Sequence, residues 1–308
     1  MSASKGTVYC VKDLVKMGYI FLLIATLSGS IKAYSAKRIS ADVTTVSDNI
    51  HVTLGRMLIC TVISALGILL AAGGRAFLPG MTELVICAVS GLSMVSFVMC
   101  WLFAVKKGAF LLVNAFTAAS FIIPGILGLL LKERFTSYKL TAVACICVAL
   151  FFLLRYNTRI KGKITRTQMT LLMLVWLSQG MNQSTQKLYV QYAPDKSVLV
   201  YNFYTFLLAT VFLLLFQLFM KRKSDKHGEM KPYVYGYIVV MAVALFMNSY
   251  FLALAAARVD AILLYPLFNA LGLVVNSIMA HVCFGEHMKR DSVIGIIFTL
   301  AALILSQL

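Results

Sequence analysis

The stretches LSGSIKAYSAK (residues 27–37) and LSQGMNQSTQK (residues 177–187) decide the expected fold of this chain. Both place polar side chains inside long apolar runs, and an offset of 150 residues lays the first on the second. An offset of 153 residues aligns the ends of the two halves, laying Glu133 on Glu286 and Ala149 on Ala302. A near-constant offset that aligns polar positions as well as hydropathy predicts an internal repeat.

The sequence around these stretches is strongly apolar. Of the 308 residues, 61% are apolar and 13% are charged, whereas soluble domains carry roughly 25% charged residues. Such a chain must bury its apolar surface in lipid. Because a bilayer core takes about 20 residues of helix, we predict ten membrane spans, near residues 17–36, 52–72, 82–104, 109–131, 139–155, 168–188, 198–220, 234–257, 260–284 and 291–307.

The predicted spans define the fold class. Backbone amides in lipid need partners within their own segment, so each span must be helical. Five spans per half is an odd number, so the two halves enter the membrane from opposite sides. We therefore expect an all-α membrane protein with ten transmembrane helices arranged as two inverted five-helix repeats, at residues 1–160 and 161–308.

Charge, cysteine and histidine patterns exclude several functions. The net charge of +17 lies in short basic clusters between apolar runs, as in loops beside membrane spans, so we expect no nucleic-acid partner. Most of the seven cysteines lie in apolar runs, and the four histidines are not at ligand spacing. We therefore expect no metal, no cofactor and no enzymatic activity.

Residues 101–154 contain FIIPGILGLLLKERFT, and residues 253–308 contain ALAAARVDAILLYPLFNAL and then CFGEHMKRDSVIGIIFTLAALIL. These two parts of the chain resemble the drug/metabolite transporter superfamily, specifically its ten-helix EamA-type carriers. The family shows a turn similar to LGE-R-x-T before its fifth and tenth helices. Here these turns read LLKERFT (130–136), without the glycine, and CFGEHMK (283–289), without the threonine.

The resemblance implies a central cavity lined by the fourth and ninth helices, which move during gating. It also implies cytoplasmic termini. The distribution of Lys and Arg between loops instead places both termini outside, so the orientation stays open.

The sixth predicted helix carries four amides on one face, at steps of 3, 4 and 7 residues: Gln179, Asn182, Gln183 and Gln186. Uncompensated amides are costly in lipid, so this face must contact protein or water. The amides line a cavity or hold helices together by hydrogen bonds, and we favour the cavity.

Lys32, which shares a helix face with Ser28 and Ser35, is the most unusual residue of the first helix. A cation inside a span marks a substrate path or an ion pair, unless the side chain reaches the headgroups. In a cavity, Lys32 would favour a carboxylate, a phosphate or another electron-rich substrate. We expect Arg56 and Lys187, nearer to span ends, to lie at the membrane interface.

The ninth predicted helix presents Tyr265, Asn269 and Asn276 on one face. The resemblance implies that Asn269 and Asn276 face the substrate, together with Asn114 on the fourth helix. Pro124 and Pro266 remove backbone hydrogen bonds and permit kinks in these two helices.

Every acid lies in a loop or at a span end, which disfavours export of cations by exchange on an embedded glutamate. We therefore predict a secondary transporter of a small polar metabolite, an amino-acid or sugar derivative, neutral or anionic, working by alternating access. The alternatives are an exchanger of phosphorylated or nucleotide-linked sugars and a membrane scaffold or sensor that moves nothing. We expect a multi-pass protein of a bacterial-type inner membrane, with a small-molecule substrate, the lipid bilayer and a possible homodimer as partners.

Overall fold

The structure, a computed structural model, describes residues 3–39, 42–43, 45–72, 78–106, 116–133, 136–157, 165–220, 231–284 and 290–305. Every regular element within these ranges is helical, which confirms the all-α prediction for them. The helices are α1 (Ala3–Ile39), α2 (Val46–Ala72), α3 (Met81–Lys106), α4 (Ile122–Leu130), α5 (Ser137–Asn157), α6 (Arg166–Tyr192), α7 (Val198–Met220), α8 (Pro232–Ala256), α9 (Ala261–Phe284) and α10 (Arg290–Leu305).

Among the described residues, six helices are long and apolar enough to cross a membrane, with candidate spans at Val15–Ala36, Ser47–Ala71, Met81–Trp101, Val198–Phe219, Pro232–Ala256 and Ala261–Cys283. Shorter apolar helices cover Phe116–Leu130, Ser137–Phe152 and Val293–Leu305. The outer surface displays large apolar side chains, among them Leu70, Leu78, Leu130 and Phe219. Exposed apolar surface of this extent is typical of contact with lipid, so the chain is a multi-pass membrane protein.

Two helices begin earlier than hydropathy predicts, because polar residues cap them. The Asp48 side chain accepts a hydrogen bond from the Thr45 backbone N–H (3.0 Å), and the Thr45 hydroxyl accepts one from the Asp48 N–H (3.0 Å). Thr165 and Gln168 form the same reciprocal capping box before α6. Capping satisfies N–H groups that lack partners within the helix, and so extends helices into polar sequence.

The fourth predicted span is interrupted. A helical turn at residues 116–119 is separated from α4 by an irregular turn at Ser120 and Phe121. Pro124 has no backbone N–H to give the Ser120 carbonyl, which instead accepts from the Ile123 N–H (3.1 Å). The expected kink is therefore present as a break one turn before the proline.

The end of α4 is tightly folded. Lys132 has a left-handed backbone, with φ of 57°, and the Glu133 N–H donates back to the Gly128 carbonyl (3.0 Å). Glycine is the usual residue at this position of a helix C-terminus, because it has no side chain to strain. This turn directs Glu133 towards the second half of the chain.

The most extensive helix contacts all join the first half of the chain to the second. They pair α1 with α8, α3 with α6, α5 with α10, α2 with α7 and α3 with α7. Each helix of the first half corresponds to the helix five positions later in the chain, so that α1 corresponds to α6 and α3 to α8. Exchanging corresponding helices converts the α1–α8 contact into the α3–α6 contact, and it leaves the α5–α10 and α2–α7 contacts unchanged. The halves are therefore interlocked, and these contacts have approximate two-fold symmetry.

The closest of these contacts is at Gly91 on α3. A Cβ atom at this position would lie 2.9 Å from the Thr205 carbonyl oxygen and 3.0 Å from the Ala209 nitrogen, both on the backbone of α7. Only glycine permits backbones to approach so closely without displacement. At Gly91 the backbones of α3 and α7 are thus in direct contact, while side chains such as Ser90 and Tyr201 join the same two helices elsewhere.

Candidate functional site

A polar cluster joins α4, α6 and α9 in the interior of the bundle. The Gln183 side chain is buried, and its Nε2 donates to Asn269 Oδ1 at 3.3 Å. The Ser120 hydroxyl donates to Gln183 Oε1 at 3.5 Å, while Asn269 Nδ2 donates to the Ala118 carbonyl at 2.9 Å. The predicted amide faces of α6 and α9 therefore meet each other at the break before α4.

A second polar cluster joins α3, α6 and α7. The Ser90 hydroxyl donates to Asn182 Oδ1 at 3.1 Å and shares a 2.7 Å hydrogen bond with the Tyr201 hydroxyl. The Thr185 hydroxyl lies 3.3 Å from the same Tyr201 oxygen. The two clusters place polar groups on both sides of α6, and α6 contacts α3 and α4 from the first half.

Several buried polar atoms near these clusters have no hydrogen-bond partner among protein atoms. They include Gln186 Oε1, Tyr265 Oη and Ser184 Oγ. An unsatisfied buried polar group costs about 1–3 kcal/mol, so such groups normally bind water or ligand. Ser184 and Gln186 lie on α6 and Tyr265 near the start of α9, while the other such atoms in the described part of the chain are spread over α1, α2, α3, α7 and residue 117.

An ion pair links the turn after α4 to α6. Lys187 Nζ lies 2.9 Å from Glu133 Oε1, and both side chains are buried. The ammonium also donates to the carbonyls of Ala256 (3.1 Å) and Val259 (3.2 Å) at the end of α8. The Glu133 carboxylate accepts from the N–H groups of Ala261 (3.0 Å) and Ile262 (3.4 Å), which begin α9. Lys187 therefore does not reach the headgroups as expected from its place near a span end.

Lys32 lies apart from these amides, between α1 and α2. It is close enough to Arg56 and Cys60 on α2 to interact electrostatically with both. Both side chains are surrounded by the bundle but remain partly exposed. This position differs from the interfacial anchoring expected for Arg56.

The remaining predicted site residues are distributed differently. Gln179 is half-buried on α6, Tyr265 is completely buried, and Asn276 lies on the exposed side of α9. Asn114 lies outside the described residues. Within the described ranges, no group of three or more His, Cys, Asp or Glu residues could hold a metal ion.

Sequence reasoning missed the partners contributed by other helices, namely Ser90, Tyr201 and Glu133. Each is a single polar residue in an apolar segment or a turn, and nothing in its local sequence shows which helix it faces. Only for Glu133 was there a signal, because it occupies the turn whose motif also appears in the second half of the chain.

Comparison with known proteins agrees with this architecture. Residues 168–308 match the EamA-like transporter family. A solved structure described only as "Crystal structure of protein" superimposes with a TM-score of 0.75, covering 94% of this chain and 96% of its own. The sequence identity is 13%, so this likeness concerns the fold alone. No curated protein matches the sequence.

Proposed function

We propose that the chain is a membrane transporter of the drug/metabolite type that moves a small polar metabolite by alternating access, and the match of residues 168–308 to the EamA-like transporter family supports this. The solute is an amino-acid or sugar derivative, neutral or anionic. The protein acts in a cell membrane of the bacterial inner-membrane type and catalyses no reaction.

The transport mechanism rests on two inverted repeats of five membrane helices each, at residues 1–160 and 161–308. The approximate two-fold symmetry of the helix contacts supports this arrangement. Halves that pack through equivalent surfaces can rock between two related states. Each state opens a central site to one side of the membrane.

The observation that carries the proposal is that buried polar atoms on α6 and α9, namely Ser184 Oγ, Gln186 Oε1 and Tyr265 Oη, have no hydrogen-bond partner among the described protein atoms. Packing alone would satisfy such groups or replace them with apolar ones. A transported polar solute with its hydration water supplies the missing partners. The proposed substrate-facing residues lie on α1, α6 and α9: Lys32, Gln179, Asn182, Gln183, Gln186, Tyr265 and Asn269.

Cysteine labelling tests whether this space is open to water. In a variant without native cysteines, we expect a membrane-impermeant methanethiosulfonate reagent to modify Gln179→Cys, Asn182→Cys and Asn269→Cys. Leu213→Cys, at a fully buried apolar position on α7, is the matched control and should stay unmodified. Absence of labelling at all three polar positions, in membranes and in detergent, would favour the scaffold or sensor alternative.

Countertransport in proteoliposomes separates the transport alternatives. We expect one-way uptake of a neutral or singly charged metabolite to occur without solute inside the vesicles. Uptake that occurs only when the vesicles contain a phosphorylated or nucleotide-linked sugar would identify an obligatory exchanger instead.

A further inference from the structure

The side chains of Lys32 and Arg56 extend from different depths of the bundle towards each other. At about 1.5 Å per residue, Lys32 lies about 6 Å before the end of the α1 span at Ala36, and Arg56 about 14 Å after the start of the α2 span at Ser47. Side chains on a helix tilt towards its N-terminus. Lys32 therefore points deeper into the bundle, and Arg56 points back towards Lys32.

The Arg56 guanidinium is held in place by its own helix. Its Nη2 donates to the Thr53 hydroxyl at 2.9 Å, and that hydroxyl donates to Asn49 Oδ1 at 3.2 Å. Thr53 is completely buried, so this arrangement is fixed by packing. The Arg56 Nε atom is also buried but has no hydrogen-bond partner. One donor of the guanidinium is thus oriented by protein, and another is unsatisfied.

In the described part of the chain, neither cation has a carboxylate partner. The ion pairs there join Lys139 to Asp260, Lys187 to Glu133 and Lys231 to Asp42. Two enclosed cations that repel each other are unfavourable without a counter-charge. A fixed guanidinium beside an ammonium matches the oxygens of a carboxylate or phosphate, which form strong charge-assisted hydrogen bonds with both groups.

We infer that Lys32 and Arg56 form an anion subsite between α1 and α2, and that the transported solute carries a carboxylate or phosphate group that binds there. This inference rests on the proposed transport function and narrows its substrate class to anions. Arg56 becomes a second charged substrate-binding residue, and the guanidinium fixes the orientation of the anionic group. The solute's polar remainder would extend towards the amides of α6.

Anion binding can be measured on the full-length protein in an uncharged maltoside detergent, without knowledge of the natural solute. We expect inorganic phosphate or succinate to raise the melting temperature saturably by about 3 °C, relative to sodium chloride of equal ionic strength. Choline chloride should give no such shift. In Lys32→Gln and Arg56→Gln the anion-dependent shift should disappear, while in the control Arg166→Gln, at an exposed position, it should persist.

The same variants report on the role of the charges without ligand. Removing one of two uncompensated cations should leave the ligand-free melting temperature unchanged or raise it. A fall in both variants would instead assign the cations a structural role and overturn the inference. Arg56→Lys keeps the charge and should retain a weakened shift, which serves as the test if Arg56→Gln does not fold.

Two further outcomes separate this inference from the function on which it rests. Stabilisation by phosphatidylglycerol but by no soluble anion would assign the subsite to a lipid headgroup and overturn the inference about the solute. Transport of neutral solutes without any anion-dependent shift would also overturn it, with transport intact. An anion shift that needs both cations, in a protein that moves no solute in proteoliposomes, would support the subsite and defeat the transport proposal.

Discussion

At the scale of single residues, Lys132 is the position where the sequence departs from a family motif at a cost. Its left-handed backbone costs roughly 1 kcal/mol or more for a residue with a Cβ atom. The sequence shows that the glycine of the motif is missing. The positive φ of Lys132 shows that this position requires a conformation that glycine adopts without strain. The chain retains the turn because Glu133, the next residue, is fixed by Lys187 and by α9.

We predict that Lys132→Gly stabilises the protein by about 1 kcal/mol, because glycine adopts a positive φ without steric strain. Thermal unfolding in detergent measures the change. Leu131→Gly is the matched control, because Leu131 has a φ of −78°, and it should destabilise the protein. A loss of stability in Lys132→Gly would show that a contact of the lysine side chain contributes more to the free energy of unfolding than the relief of backbone strain does.

Arg56 and Lys187 show why residue-scale predictions from hydropathy fail. Both are cations near the ends of predicted spans, and a single helix considered alone would send such side chains to the headgroups. For Lys187 the partner that changes this is Glu133, after α4, whereas Arg56 donates to Thr53 on its own helix. The Lys187–Glu133 contact depends on tertiary packing, which no local pattern specifies.

At the scale of helices, the sequence predicts most of the structure. The predicted spans at 198–220 and 260–284 correspond to α7 (Val198–Met220) and α9 (Ala261–Phe284). This agreement has a physical basis, since a long apolar run in lipid has few alternatives to a helix. The exceptions are polar helix starts, as at Thr45 before α2, and the break before α4, where side-chain hydrogen bonds and a proline determine the outcome.

The break before α4 should be a site of local opening. We predict that amide hydrogens at residues 120–123 exchange faster than those at residues 125–130, because the irregular turn lacks a continuous backbone ladder. Pro124→Ala should slow exchange around the break, since an N–H at position 124 can bond to the Ser120 carbonyl. Hydrogen exchange with mass spectrometry measures both, and equal rates throughout residues 116–130 would contradict the prediction.

At the scale of the whole molecule, the Lys187–Glu133 ion pair links the first half of the chain to the second. Glu133 belongs to the first half, while Lys187 and the helix ends that the pair contacts belong to the second. The surrounding protein excludes water, so the loss of one partner leaves the other charge unsatisfied. The pair therefore links the turn after α4 to α6 and to the adjoining ends of α8 and α9.

We predict that Glu133→Gln destabilises the protein by about 3 kcal/mol, because it leaves the Lys187 ammonium buried without a carboxylate. Adding Lys187→Met should recover much of the loss, and a double-mutant cycle on thermal unfolding measures the coupling. The pair of Lys231 and Asp42, in which the lysine side chain is exposed, provides the control, since Lys231→Gln should cost less than about 1 kcal/mol. If Glu133→Gln lowered the free energy of unfolding no more than Lys231→Gln, the Lys187 and Glu133 side chains would have to be solvated.

The backbone contact at Gly91 limits how such a molecule can change shape. Side chains can switch rotamer to let helices slide, but the Thr205 carbonyl and the Ala209 nitrogen have no comparable freedom. If the two halves rock as proposed, we expect the smallest displacement here and the largest at the helix ends farthest away. Gly91 would then lie at the pivot of that motion.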